Sequence, residues 1–230
     1  MKAFLVWLCV LGMSAMAVQA QVGAGAYERL DGDKISRVVV ADGYLIWTDF
    51  SIDRKAFLRT WGGKYTTSAQ GQLAVEVEFD SQDPLAVASM QTYSFKEKKK
   101  VWTINGENFT LVEGSQRGAM AGNWRITGRL GADGTVGQMQ PGPRKTIKLL
   151  TGNTFQWAAI NTATREFFGT GGGAYSFLDG KYTEQIQFFS RDASRVGNQL
   201  SFDATIEGKK WIHQGRSSKG DPIHEIWERK

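Results

Sequence analysis

The feature that most constrains this chain is that it contains itself twice. Sliding the sequence by 110 residues sets Trp47 on Trp157, Phe57 on Phe167, and Thr60-Trp61-Gly62-Gly63-Lys64-Tyr65 on Thr170-Gly171-Gly172-Gly173-Ala174-Tyr175. With one residue deleted from the second copy, Gly71 falls on Gly180, Val77 on Ile186, Phe79 on Phe188, and Trp102 and Gly106 on Trp211 and Gly215. A fixed internal period means that one structural unit is built twice. The copies run over 21–115 and 119–230, joined by the Gly-rich stretch around Gly114 to Gly122, and each is long enough to form its own core. Two half-barrels closing one large barrel would need only four or five strands per copy, and each copy has more.

In the second copy, strand-like runs fall at 123–129, 146–150, 154–160, 166–170, 173–178, 182–190, 199–207, 210–215 and 223–229. They are short, closely spaced and punctuated by glycine, and no segment keeps a helical period. The expected fold is all-β: two tandem antiparallel up-and-down β-barrels of about eight strands each. Closure removes exposed sheet edges and leaves an interior that is either packed or able to hold one small ligand.

The first twenty residues read as a signal peptide. Lys2 supplies the positive start, 3–16 the apolar run, and Val18-Gln19-Ala20 the small residues before a cleavage site. The run is shorter than the ~20 residues a bilayer core requires, so no transmembrane segment is expected after cleavage. Cys9 leaves with the leader, and the expected product is an exported domain, periplasmic or extracellular, without disulfides. Losing Lys2 lowers the formal charge from +5 to +4, a mild excess that does not call for nucleic acid as a partner. The basic run Lys96 to Lys100, set between Phe95 and Trp102, reads as a solvated hairpin turn.

Gly122-Asn123-Trp124 at the first strand of the second copy and Arg229 at its last resemble the Gly-x-Trp and terminal Arg pair of lipocalins and related calycins. Gly180 to Glu184, Lys209 to Trp211 and Glu225 to Arg229 are similar to lipocalin-like domains of unknown function in secreted bacterial proteins. The first copy diverges, with Gly25-Ala26-Tyr27 and Leu111-Val112-Glu113 at the matching places. The resemblance implies a barrel whose Arg covers the Trp at the closed end, and a habit of binding small molecules in the mouth. It implies no particular ligand.

Strand alternation sorts interior from surface. Tyr182, Glu184, Ile186 and Phe188 form one face and are expected inside, as are Leu200, Phe202, Ala204 and Ile206. A tight turn at Gly208-Lys209 pairs Ile206 with Trp211 and Ala204 with His213. The last strand places either Glu225 or, one register over, His224 inside. The second barrel therefore gathers Tyr182, Glu184, His213 and Glu225 among Trp157, Tyr175 and Trp211, an apolar wall with convergent polar groups of the kind that lines ligand pockets. Glu184 needs a partner, Arg229 or another internal cation, and that pairing alone could account for it. The first copy has Leu73, Val75 and Ile104 at the positions of Tyr182, Glu184 and His213, so a polar interior belongs to the second copy only.

No nucleophile elbow, phosphate loop, dinucleotide fingerprint or metal-ligand spacing is present, and no catalytic residue, metal or cofactor is assigned. The expected function is binding of a small-molecule ligand of unknown identity in the second barrel. A non-catalytic scaffold with packed barrels is the alternative, with Trp61 beside Gly62-Gly63 as a candidate exposed anchor. Oligomeric state is left open.

Overall fold

A computed structural model describes residues 24–116, 118–131, 135–217 and 219–230, and the proposed signal peptide lies outside them. Among the described residues there is no α-helix, and so none long and apolar enough to cross a membrane. The first copy contains β1 (Gly25–Asp31), β2 (Lys34–Ala41), β3 (Tyr44–Ser51), β4 (Ala56–Thr67), β5 (Gln72–Asp80), β6 (Met90–Lys98), β7 (Val101–Ile104) and β8 (Glu107–Leu111). Each pairs antiparallel with the next, and β8 returns to β1 to close an eight-stranded barrel.

The second copy contains β9 (Gly122–Leu130), β10 (Val136–Gln138), β11 (Arg144–Leu150), β12 (Thr154–Asn161), β13 (Glu166–Leu178), β14 (Lys181–Phe189), β15 (Gln199–Glu207), β16 (Lys210–Arg216) and β17 (Pro222–Arg229). Here β9 pairs with both β11 and β17, closing a second eight-stranded barrel, while the short β10 rides on the far half of β9. The runs 166–170 and 173–178 are one strand, β13, because the glycines between them keep pairing with β14, where a bulge passes over Gln187.

That bulge recurs in both copies: opposite Gly62/Gly63 of β4 the extra residue is Glu78 of β5, and opposite Gly172/Gly173 of β13 it is Gln187 of β14. A Cβ on Gly63 would stand 1.8 Å from Glu76 O, and one on Gly173 1.9 Å from Gln185 O, so only glycine lets the strand fold over its neighbour there. The bulge also shifts the alternation. Phe188, expected inside with Ile186, instead points out of its barrel and packs on Phe50 at 4.7 Å, while Phe189 turns inward against Trp157.

The outward faces of β2 to β5 and β11 to β14 pack on each other as a third apolar cluster, containing Val39, Ile46, Phe79, Ile147, Leu149 and Ile160. The arrangement is close to two-fold: Phe57 stacks on its own counterpart Phe167, and counterpart pairs such as Val39 and Leu149 both take part. An isologous contact of this kind is what two copies of one domain form. Within it, the buried Gln156 amide Nε2 is a donor 2.6, 3.2 and 3.1 Å from the Oγ1 atoms of Thr48, Thr60 and Thr170. Around it, Lys145 and Tyr44 share Glu78, Arg37 Nη2 donates to Gln187, and Arg229 binds Asp42 with two nitrogens. The inter-copy segment is docked through buried Ser115, whose Oγ accepts from Ala26 N.

Two expectations change here. Arg229 stands across the strand pair from Trp124, but its guanidinium serves Asp42 of the first barrel, and the indole of Trp124 donates instead to Met120 O at 2.8 Å. Trp61 is no exposed anchor: it is buried in the first barrel, stacked on Trp47. The Lys96 to Lys100 run does form the solvated β6–β7 turn.

Gly173→Ala should destabilise the protein by about 3 kcal/mol or more in urea unfolding, because the clash is with backbone. Gly142→Ala, where an added Cβ meets nothing within 4 Å, should stay within about 0.5 kcal/mol of the parent.

Candidate functional site

In an antiparallel meander, alternate connections lie at opposite ends of the barrel. The tight turns at Gly152-Asn153, Asp179-Gly180 and Gly208-Lys209 form the narrow end of the second barrel, where Met120 and Trp124 sit. The longer connections 162–165 and 190–198, and that between β16 and β17, lie at the other end. Phe189, Leu200 and Ile223 stand at strand ends beside those connections and, with Trp157, pack half-buried on the interior core.

The register decides which polar groups point inside. Gly208-Lys209 turns as expected, pairing Ile206 with Trp211 and Ala204 with His213. Trp211 then pairs with Trp227 and His213 with Glu225, so Glu225 is the inward residue and His224 lies beside Gln214 on the outer face. Tyr182, Glu184, His213 and Trp211 are all buried, Tyr175 nearly so, and Trp157 is half-buried. All seven predicted residues thus belong to one barrel, four of them in two separate polar groups: Tyr182 with Glu184, and His213 with Glu225.

The first group is centred on a residue that sequence reasoning missed. Lys148 Nζ lies 2.8 Å from Glu184 Oε1, both side chains only 6% exposed, and Tyr182 Oη donates to the same oxygen at 2.8 Å. Burial and the neighbouring carboxylate raise the Tyr182 phenol well above its ordinary value, so it remains a donor. The ammonium also sits 5.2–5.6 Å from the ring centres of Phe155, Tyr182, Trp211 and Trp227. Rings at that range attract a cation through their negative faces. Tyr175 is tied off separately, donating to Thr151 O at 2.6 Å.

Lys148 eluded the alternation argument because both faces of β11 are buried. Ile147 and Leu149 point outward into the contact with the first barrel, which leaves the lysine inside. The repeat held the signal: Lys148 and Val38 are counterparts, paired respectively with Trp157 and Trp47. Where the second barrel has Lys148 and Glu184, the first has buried Val38 and Val75.

The second group is His213 with Glu225. His213 is 2% exposed, its ring stacked on Phe202 at 4.8 Å and edge-on to Trp211 at 4.7 Å. Nε2 stands 3.2 Å from Glu225 Oε2 but out of line for a hydrogen bond, and Nδ1 has no partner. Glu225 also accepts from Trp227 Nε1 at 3.2 Å and pairs with Arg129 at 3.1 Å. Burial pushes the His213 imidazole below its usual 6.5, with Lys148 adding to the effect and Glu225 and Glu184 opposing it. Burial works to raise the Glu225 carboxyl, but His213, Lys148 and Arg129 outweigh it and hold it at about 2. The pair is therefore a neutral imidazole facing an ionised carboxylate. The Trp211 indole N–H is also unpartnered, but so is that of its counterpart Trp102, whereas the position of His213 is taken by buried Ile104 in the first barrel.

The wall beside this group differs between copies. β1 and β2 pair along the whole of Gly25 to Asp31, whereas β11 leaves β9 after Arg125 and β10 takes over pairing from Gly128. That end of the second barrel is thus split between β9 and β11, with β10 lying against the far half of β9 and Arg125 Nη2 donating to Gly142 O. No group of histidine, cysteine and carboxylate side chains able to hold a metal ion occurs among the described residues. No known family's sequence profile matches the chain, and no curated protein matches it.

Removing one partner of a buried ion pair strands the other, whereas replacing both by apolar groups is often neutral. Lys148→Val should therefore cost about 3–5 kcal/mol in urea unfolding, and the double variant Lys148→Val, Glu184→Val, which copies the first barrel, should recover most of it. The acid limb of stability has two parts. The folded protein resists protonating His213, so stability is full above pH 6.5 and falls below it. Glu225 titrates at about 2 when folded against 4.5 otherwise, so its contribution is present above pH 4.5 and is lost as the pH falls towards 2. Urea midpoints measured between pH 7.5 and pH 5 should flatten in His213→Ile and remain sloped in the parent.

Proposed function

We propose that the second barrel is a lipocalin-like container for a small, partly polar molecule, in a protein exported to the periplasm or the cell exterior. The observation that carries this reading is His213: a fully buried, neutral imidazole with no aligned hydrogen-bond partner, whose counterpart in the first barrel is Ile104. A buried polar group left unmatched is costly, and such groups point to an ordered water or a bound molecule. Three further features support the reading. The polar interior and the split between β9 and β11 occur in the same copy. Half-buried Trp157, Phe189, Leu200 and Ile223 give the interior an apolar margin. Glu225 and Arg129 set charge at its rim.

A second reading, a non-catalytic scaffold with packed barrels, is favoured by the Lys148 group. That ammonium fills the space among four rings and is neutralised by Glu184, as a purely structural pair would be. The two readings separate at His213, which the scaffold does not need.

Native mass spectrometry of the protein purified from its own host should reveal a retained small molecule that His213→Ile loses while keeping the parent's fold. A protein that arrives empty, and remains empty after exposure to a metabolite extract, would leave the scaffold reading standing.

A further inference from the structure

Resting on that reading, we infer that the ligand of the second barrel is uncharged and offers an N–H or O–H donor to His213 Nδ1. The inference starts from how the interior distributes its charges. Lys148 faces Glu184 at 2.8 Å, and Glu225 faces Arg129 at 3.1 Å. Each of these charges already has its opposite, so an anion or cation entering beside them would be buried without a counter-ion, at a cost that binding rarely recovers.

The hydrogen-bonding inventory then narrows the class. Ionised Glu225 can only accept, and it already accepts from Trp227 Nε1. The imidazole nitrogen turned towards it, Nε2, is therefore the one that carries the hydrogen, and Nδ1 is left as a bare acceptor. The aromatic neighbours of that ring are Phe202, Tyr182, Trp211 and Trp227, and the Tyr182 hydroxyl is already spent on Glu184. A guest that fits has an apolar, preferably flat body to lie among these rings and one neutral donor. Primary amides, alcohols and phenols meet that description, while carboxylates, ammonium ions and acceptor-only ketones do not.

The test uses four probes of one size: benzamide, acetophenone, benzoate and benzylammonium. Each is titrated into full-length protein labelled with 15N-histidine, and the Nδ1 resonance of His213 is followed. His213→Ile assigns the signal, and His224 serves as an internal control. The expected result is a saturable shift with benzamide, binding of acetophenone weaker by about tenfold or more, and no shift with the two ions. Acetophenone binding as tightly as benzamide overturns the donor requirement. Benzoate or benzylammonium binding at His213 as tightly as benzamide overturns the uncharged class, while the second barrel stands as a binding site. If no probe moves any second-barrel resonance, both this inference and the container reading fall.

Discussion

Each barrel's longest strand meets a bulge in its neighbour at a position that only glycine can occupy. At Gly63 and Gly173 the neighbouring backbone oxygen stands where a Cβ would be, and the bulge formed there curves the strand over its partner. The same bulge resets which side chains point in. Before it, β14 sends Tyr182, Glu184 and Ile186 into the barrel. Beyond it, Phe188 turns out to meet Phe50 of the other copy. One local backbone constraint thus serves two ends: it admits the bulge and supplies the aromatic side chains that hold the two barrels together.

Using one sheet face for each core and the opposite face for the contact between copies buries several strands on both sides. β2, β3, β11 and β12 are consequently buried along most of their length, unlike a half-solvated strand. The arrangement also explains how a lysine can lie inside a barrel. Once Ile147 and Leu149 are committed to the contact between copies, the residue between them faces the interior whatever its chemistry. Glu184 and four rings then make the position tolerable for an ammonium. The first copy meets the same geometry with Val38 and Val75, so the ion pair is one of two solutions to a packing problem, whereas His213 has no such structural justification.

Much of the fold was legible in the residues. The 110-residue repeat, the short glycine-punctuated runs and the Gly208-Lys209 turn lead to two barrels and to the pairing of Ala204 with His213, as found. The seven residues singled out for the site do share one interior. What escaped was everything that depends on a bulge or on the other copy: the outward turn of Phe188, the burial of Trp61, the inward Lys148 and the use of Arg229 on Asp42. A period-two pattern carries no warning of a bulge until both partner strands are known, and a contact between copies leaves no local mark.

By itself the sequence determined that the chain is a β-rich duplication whose second copy alone carries polar residues at interior positions. Local alternation, turn residues and internal comparison are sufficient for that, because they concern neighbours along one strand or counterparts in one repeat. Only the tertiary structure decided that Glu184 is satisfied by Lys148 while His213 Nδ1 meets no partner among the described residues, and that Glu225, not His224, faces its ring. Those outcomes depend on which strands meet across a closed barrel and in which register, and a one-residue slip would have exchanged the inner and outer faces of the last strand.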